Sequence, residues 1–541
     1  MERFALKHIT GKLLLGAIVL LLARGIARAG STGCDGSGNC YVYAAATGSG
    51  NGSSWANAYT GFGTGAGQVN PASMTRGVTY WISNGSYGPQ TFSSPASGTT
   101  VITIEGATAS SHGPDSTWSN SYAGQALFTG ITLSTAYWVV NGQAVSGCSY
   151  PNNNTSCYTI KIWNQTDGSS DDIEVEATNE TIEYVECEGT GMTGGNFPSN
   201  TTTGTAYQDN GVSNEYDGAE ANVTNNLYVG YSYLHHFGGN NFLLNMNLNS
   251  GLTVEYCWIA YNHTQQSTTH SEAMSVTYSD FIIRYSVFQD ICSSAQISDA
   301  AGGSPTLSNW YIYGNIFFWD PTYAAYDGAG QLGTIDDGVV GFFGDTFSGN
   351  LYFTNNTMYG FANGYATQEG APFATNAITG QSGQNAGSPT VVIENNLWVD
   401  CAYVYNDATP YCSSASCASF TEDYNASWQD GNAPYNIDWQ TNSPAAAHDY
   451  NASGTSNPFV SATAYTLAGF DLATPDPFSS YPGATLSSSV PSGCTTGTNC
   501  LNSAGLTGNL FGAGATWDRG AEQLGSSVAP SPPTNLTATA H

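Results

Sequence analysis

The chain predicts an all-β solenoid, one elongated domain of short stacked strands, on three observations. A six-residue phrase with an apolar first and last position recurs at residues 229–234, 254–259, 283–288 and 312–317, with looser copies at 182–187, 353–358 and 393–398. Successive copies begin 47, 25, 29, 29, 41 and 40 residues apart, so a fixed short segment alternates with connections of variable length, as in a solenoid with loops on some of its coils. The composition has 64 Gly, 34 Tyr and only 9% charged residues; it lacks long helical patterns and is too aromatic to be disordered.

Within each copy the two apolar positions are five apart, which strict alternation would send to opposite faces, so a bend lies between them. Asn315, Asn356 and Asn396 hold the fourth position in three copies, and asparagine tolerates a left-handed backbone cheaply, which places the corner there. If each copy is one coil, equivalent residues stack about 4.8 Å apart. The third position then reads Tyr184, Tyr231, Tyr256 and Tyr285, an aromatic ladder that either packs between coils or offers Tyr231, Tyr256 and Tyr285 as a sugar-binding platform.

In chain order, residues 1–29 carry Arg3, Lys7 and Lys12, an apolar run from Leu13 to Leu22 and a small-residue Ala27-Arg28-Ala29 end, the pattern of a secretory signal too short to span a membrane. Without it, Arg76, Lys161, Arg284 and Arg519 face 39 acids, a net charge of −35. That balance excludes nucleic acid as a partner and disfavours acidic polymers unless cations intervene; a neutral or cation-bridged polysaccharide remains open. Twelve cysteines in an exported chain favour disulfides, with Cys34–Cys40, Cys148–Cys157, Cys412–Cys417 and Cys494–Cys500 the near-neighbour pairs; Cys187, on an inward repeat position, reads as a buried free thiol. The uninterrupted repeat argues for a single domain over 30–524, and residues 525–541 read as a Pro/Ser-rich linker.

Tyr41-Val-Tyr, Gly50-Asn-Gly-Ser-Ser-Trp55-Ala-Asn-Ala-Tyr59 and Gly77-Val-Thr-Tyr-Trp-Ile-Ser-Asn-Gly-Ser-Tyr87 resemble the first coil of secreted right-handed parallel β-helix proteins of the pectate-lyase-like type, and Trp517-Asp-Arg-Gly-Ala-Glu522 is similar to the phrase that often closes them. The resemblance implies a right-handed parallel β-helix over roughly residues 41–523. It specifies no activity, because that architecture holds lyases, hydrolases, epimerases, tailspikes and adhesins. Pro532-Pro-Thr-Asn-Leu-Thr537 resembles the lead-in to a fibronectin type III domain.

The resemblance carries no catalytic residue across. A lyase base would be Lys161 or Arg284, but they lie about four coils, roughly 19 Å, apart and cannot share a site. Arg284 stacks beside Glu255, where a solvated cross-strand pair accounts for it. Asp336-Asp337, before Gly338, reads as a turn. The denser constellation is His235, His236, His263, His270 and Glu272. The register aligns His236 with Asp290 two coils on and His263 with Cys292, puts His270 and Glu272 on one strand face, and flanks them with Asn245 and Asp299. A carboxylate beside neutral imidazoles supplies general acid–base chemistry or metal ligation, which makes Glu272, His270, His263, His236 and Asp290 the catalytic candidates and Asn245 and Asp299 substrate-binding ones. Asp172, Glu174 and Glu176 project from one strand face and form a candidate Ca2+ site. The expected function is binding of an extracellular polysaccharide, with its cleavage by a hydrolase or a lyase left open and a non-enzymatic surface adhesin or fibrous structural protein as the alternative.

Overall fold

The computed structural model describes residues 34–163, 171–189, 209–214, 223–263, 272–292, 295–298, 306–318, 320, 338–342, 346–360, 378–380, 389–401, 418–428, 447–452, 456–473, 483–484 and 519–521. Over these the chain is a right-handed parallel β-helix: every ladder between the strands is parallel, and each strand pairs with the equivalent strand of the coil before and after. Among the described residues no helix is long and apolar enough to cross a membrane.

Three sheets run along the coil axis. The first begins with Asn39–Val42 and Thr79–Ile82, passes through Thr181–Glu183 and Leu227–Gly230, and ends at Ser419–Asp423. The second includes Ile160–Ile162, Val185–Glu188, Tyr233–His235, Trp258–His263, Val287–Cys292, Ile316–Phe318, Thr357–Tyr359, Leu397–Val399 and Ala426–Trp428. The third includes Ile173–Val175 and Val212–Ser213, then the N-terminal parts of the long strands Phe242–Glu255 and Met274–Arg284, which cross into the first sheet through an irregularity between Leu244 and Asn249.

The repeat maps directly onto this register. Its first positions form one column in the first sheet, Ile182, Val229, Val254, Ile283, Ile312, Phe353 and Ile393. Its last positions form one column in the second, Cys187, Leu234, Ile259, Phe288, Phe317, Met358 and Trp398. Both columns are buried, and together with the third sheet they make one continuous apolar core.

The corner between the columns exists, but its left-handed residue is the third of the phrase, not the fourth. Tyr184, Tyr231, Tyr256 and Tyr285 have φ between 51° and 53°, followed by Gly314, Asn355, Asn395 and Tyr424 in the same conformation. A left-handed tyrosine is strained. Ring stacking along the ladder offsets that strain: Tyr184 to Tyr231 is 4.7 Å and Tyr231 to Tyr256 is 4.9 Å, both near-parallel.

The fourth position does different work. Its side chain turns inward and accepts the backbone N–H of the fourth residue one coil earlier: Ser232 from Val185, Ser286 from Cys257, Asn315 from Ser286, Asn356 from Asn315, Asn396 from Asn356, and Asn425 from Asn396. The corner interrupts the sheet ladder, and this internal ladder satisfies the N–H groups it strands in the core.

Cys34–Cys40 and Cys148–Cys157 are disulfides, Cys187 is a buried free thiol, as is Cys257, and Cys401 is buried. Cys412, Cys417, Cys494 and Cys500, with Asp336 and Asp337, lie outside the described residues. Near the far end, Arg519 is buried and donates to the His448 carbonyl at 2.8 Å, so part of the closing phrase packs back on the last coils.

Candidate functional site

Strand alternation assembles a polar recess on the outer face of the second sheet. Cys187 points into the core, so its neighbours Glu186 and Glu188 point out. Lys161 pairs with Glu186 across one ladder, and His235 with Glu188 across the next. Three successive coils thus place an ammonium, two carboxylates and an imidazole side by side.

Lys161 Nζ lies 2.7 Å from Glu186 Oε1 and also contacts Glu188. Gln125 Nε2 donates to the other Glu186 oxygen at 2.7 Å. The His235 ring stacks on Tyr233 with centroids 3.9 Å apart, and its Nδ1 meets Nδ1 of His236. Its Nε2 makes no hydrogen bond and faces Glu186 Oε1 from 3.5 Å, too far for one. Glu186, Glu188 and His235 each offer a ligand atom, all within 4.8 Å of one another, so this group could hold a metal ion.

The recess is deep at one side and open at the other. The Glu186 side chain is fully covered, whereas those of Glu188 and Lys161 retain 21% and 14% exposure. Half-buried Trp163, over which the Lys161 ammonium sits at 5.4 Å, and half-buried Tyr261, 4.7 Å from the His236 ring, flank the mouth. Burial pushes the Glu186 carboxyl up, against the opposing pull of Lys161. Burial would lower Lys161, but Glu186 and Glu188 outweigh it and hold the ammonium above its ordinary value. Burial drives His235 down to about 3, and burial with the neighbouring His235 does the same to His236, so both imidazoles are neutral at any ordinary pH.

Of the residues expected from sequence, His236 stands at this recess. Asp290 does share its column, since His236, just past its second-sheet strand, and Tyr261 and Asp290, inside theirs, fall in one register with a left-handed backbone, but Tyr261 stands between them. Asp290 is buried, its carboxyl pushed well up by burial, and it accepts the Asp320 N–H at 2.6 Å. His263 pairs with Cys292 as the register required. Its side chain, His270 and Asp299 lie outside the described residues. Glu272 is buried at the entry to the third sheet, where its carbonyl accepts from Asn262 Nδ2 at 3.1 Å. Asn245, half-buried in the third sheet, reaches Ser275 Oγ at 3.4 Å.

Three expectations need correction. Tyr256 and Tyr285 are buried and Tyr231 half-buried, and the loop stapled by Cys148–Cys157 lays Tyr150 against Tyr184 at 5.0 Å and Tyr231 at 6.2 Å. The ladder's faces are taken up by one another, and none is left as a sugar platform. Ile173 and Val175 do point inward, but Asp172 sits in the bend before the strand and is buried. The exposed carboxylate trio therefore reduces to half-buried Glu174 and Glu176, with Thr132 Oγ1 donating to Glu174 at 3.2 Å. Arg284 pairs with Glu255 as the register predicted, Nε to Oε2 at 2.7 Å, but the pair is buried, with Tyr313 and Tyr228 adding hydrogen bonds.

Glu186, Glu188 and Gln125 were missed. The signal for the first two was present: both flank an inward residue of a recognised repeat copy, and only their shared outer face had to be followed to Lys161 and His235.

No protein-family model matches the chain, and no curated protein is similar to it in sequence. Among solved structures it is similar to pectate lyase Pel9A, with 13% identity over 90% of this chain and 96% of that one and a TM-score of 0.35. It is also similar to a PL6 family polysaccharide lyase from Pseudopedobacter saltans, with 12% identity over 71% and 88% and a TM-score of 0.35. A third is the PL6 family alginate lyase AlyGC, with 11% identity over 67% and 51% and a TM-score of 0.25.

Proposed function

We propose that this chain is an exported, single-domain polysaccharide-acting protein, and that it binds and cuts its polymer at the recess of Lys161, Glu186, Glu188, His235 and His236. The observation that carries this reading is the cost of that recess. Bringing charges out of water costs several kcal/mol per ion, and pairing recovers that only with good geometry. Further along the same outer face, Phe318, Tyr359, Val399 and Trp428 are apolar and buried, and Phe318 and Tyr359 pack against Phe470. A face that needed only to be covered has a cheaper solution a few coils away, and such clusters of perturbed groups concentrate at functional sites.

The exposure pattern supports the following division of roles. Glu188 and Lys161 are what a sugar can touch: Glu188 is the carboxylate that accepts a proton or attacks, and Lys161, held protonated, donates to the leaving oxygen or binds an acidic group on the polymer. Glu186 and Gln125 hold Lys161 in place. Two carboxylates, an ammonium and neutral imidazoles leave the recess with no positive excess, in a strongly acidic protein, which favours a neutral polymer or one whose acidic groups arrive with Ca2+.

The test is a screen of the mature protein against neutral and acidic polysaccharides, with and without Ca2+, reading reducing ends, unsaturated products and pull-down binding together. Reducing ends without unsaturation identify a hydrolase; unsaturated ends identify a lyase. Binding without product would leave an adhesin, and neither binding nor product from folded protein would reject the proposal.

A further inference from the structure

We infer that Glu186, Glu188 and His235 form a divalent-cation site that the Lys161 ammonium closes from within, so that cation and ammonium occupy it by turns. This rests on the same recess as the proposed function but not on any cleavage there.

Two independent features point to a cation. The first is the convergence of three ligand atoms from two adjacent strands. The second is the bare Nε2 of His235, which is 3% exposed, makes no hydrogen bond and is aimed at a carboxylate oxygen from outside hydrogen-bond range. A buried ring nitrogen normally has a partner, and a metal ion is one that suits both it and the carboxylates beside it. The other nitrogen of that ring is held by His236, which fixes the ring's orientation in the way metal-bound imidazoles are usually fixed from behind.

The donor set selects the ion. Calcium prefers six to eight oxygens, whereas one imidazole with two carboxylates suits zinc or manganese, with open positions toward the mouth for water or a sugar hydroxyl. Lys161 already fills the place a cation would take, since its nitrogen contacts both carboxylates. An ion cannot reach those oxygens unless the ammonium withdraws. The half-buried Trp163 ring, 5.4 Å from that nitrogen, gives it somewhere to go. Cation binding would thus move the one lysine of the recess toward the mouth, coupling metal occupancy to what the substrate meets there.

The experiment is isothermal titration of the purified mature protein with ZnCl2, MnCl2 and CaCl2 in turn, after chelation and dialysis, on wild type and on Lys161→Met, Glu188→Gln and His235→Phe, each checked for native circular dichroism. The expected result is one Zn2+ or Mn2+ per chain. Lys161→Met should bind at least tenfold more tightly, Glu188→Gln and His235→Phe at least tenfold more weakly, and Ca2+ more weakly than either. Should Lys161→Met not fold, the tryptophan fluorescence change that Zn2+ causes in the wild type and that Trp163→Phe removes supplies the second readout: this Trp163 response should follow Zn2+ occupancy as the ammonium moves. No saturable binding to wild type or Lys161→Met, or equal affinity in His235→Phe, or binding with no response from Trp163, would overturn the inference. The polysaccharide screen reports separately, so either proposal can fail while the other stands.

Discussion

Replacing Asn356 by leucine tests how the corner is held together. The Asn356 side chain donates to the Ile312 carbonyl at 2.9 Å and to Asn396 Oδ1 at 3.2 Å, and accepts from both the backbone and side-chain nitrogens of Asn315 at 3.1 Å. Leucine has nearly the same shape and fills the space, so cavity formation is minor. It leaves the Asn315 N–H buried without a partner, at about 1–3 kcal/mol, and takes one hydrogen bond each from the Ile312 carbonyl, the Asn315 side chain and Asn396 Oδ1, at about 0.5–1.5 kcal/mol apiece. The expected destabilisation is roughly 4 kcal/mol, read as a lowered midpoint in urea by tryptophan fluorescence. Asn355→Gly, one residue earlier at φ 53°, is the contrast: glycine accepts that backbone freely, and the change is expected to stay within about 1 kcal/mol. If Asn356→Leu costs less than about 1 kcal/mol, or if the two variants exchange ranks, the inward ladder does not carry the corner.

Two further perturbations probe the frame. Burial pushes Glu105 up to about 8 and Glu183 up to about 7, in each case with a neighbouring acid adding to it. A carboxyl raised in the folded state contributes stability that is complete below its unfolded value near 4.5 and lost as pH rises through 7–8, so wild type should melt lower at pH 8.5 than at pH 5. Glu105→Gln should reduce that drop, and parallel melting curves for the two proteins would show that Glu105 is ionised throughout. Separately, a Cβ at Gly142 would run into the backbone carbonyl oxygen of Tyr184 on the next coil, which cannot yield. Gly142→Ala should therefore cost several kcal/mol in the same urea assay, and a neutral result would mean that the two coils are not that close.

How much of this was legible in the chain depends on which force set each feature. The apolar columns were, because stacking makes every coil answer to the same burial pattern: Ile182 through Ile393 could be aligned by eye and pair in that register. The coil at residues 422–427 escaped because its first position is Glu422, an acid in an apolar column, hydrogen-bonded by Asn425 Nδ2 at 2.8 Å. The corner was placed one residue late because asparagine's taste for left-handed backbone seemed to decide it. In the fold, ring stacking lets tyrosine take that conformation, and the asparagines are needed for hydrogen bonding inside. Residues adjacent in sequence drew attention to the histidines; the recess itself is built across coils, from Lys161, Glu186 and His235, and becomes visible only when the outer face of the second sheet is followed through its register. Glu272 looked close to His236 in sequence, and the coil instead carries it to the third sheet.

The central claim is that the outer recess of the second sheet, and not the entry to the third, is where polymer is cut. On whichever polysaccharide the screen identifies, product formation by Glu188→Gln and Glu272→Gln would be compared with wild type at matched folded concentration. The recess predicts that Glu188→Gln loses product at least a hundredfold while still folding, and that Glu272→Gln keeps it. Loss in Glu272→Gln with activity retained in Glu188→Gln would contradict the account and move the site to the third sheet.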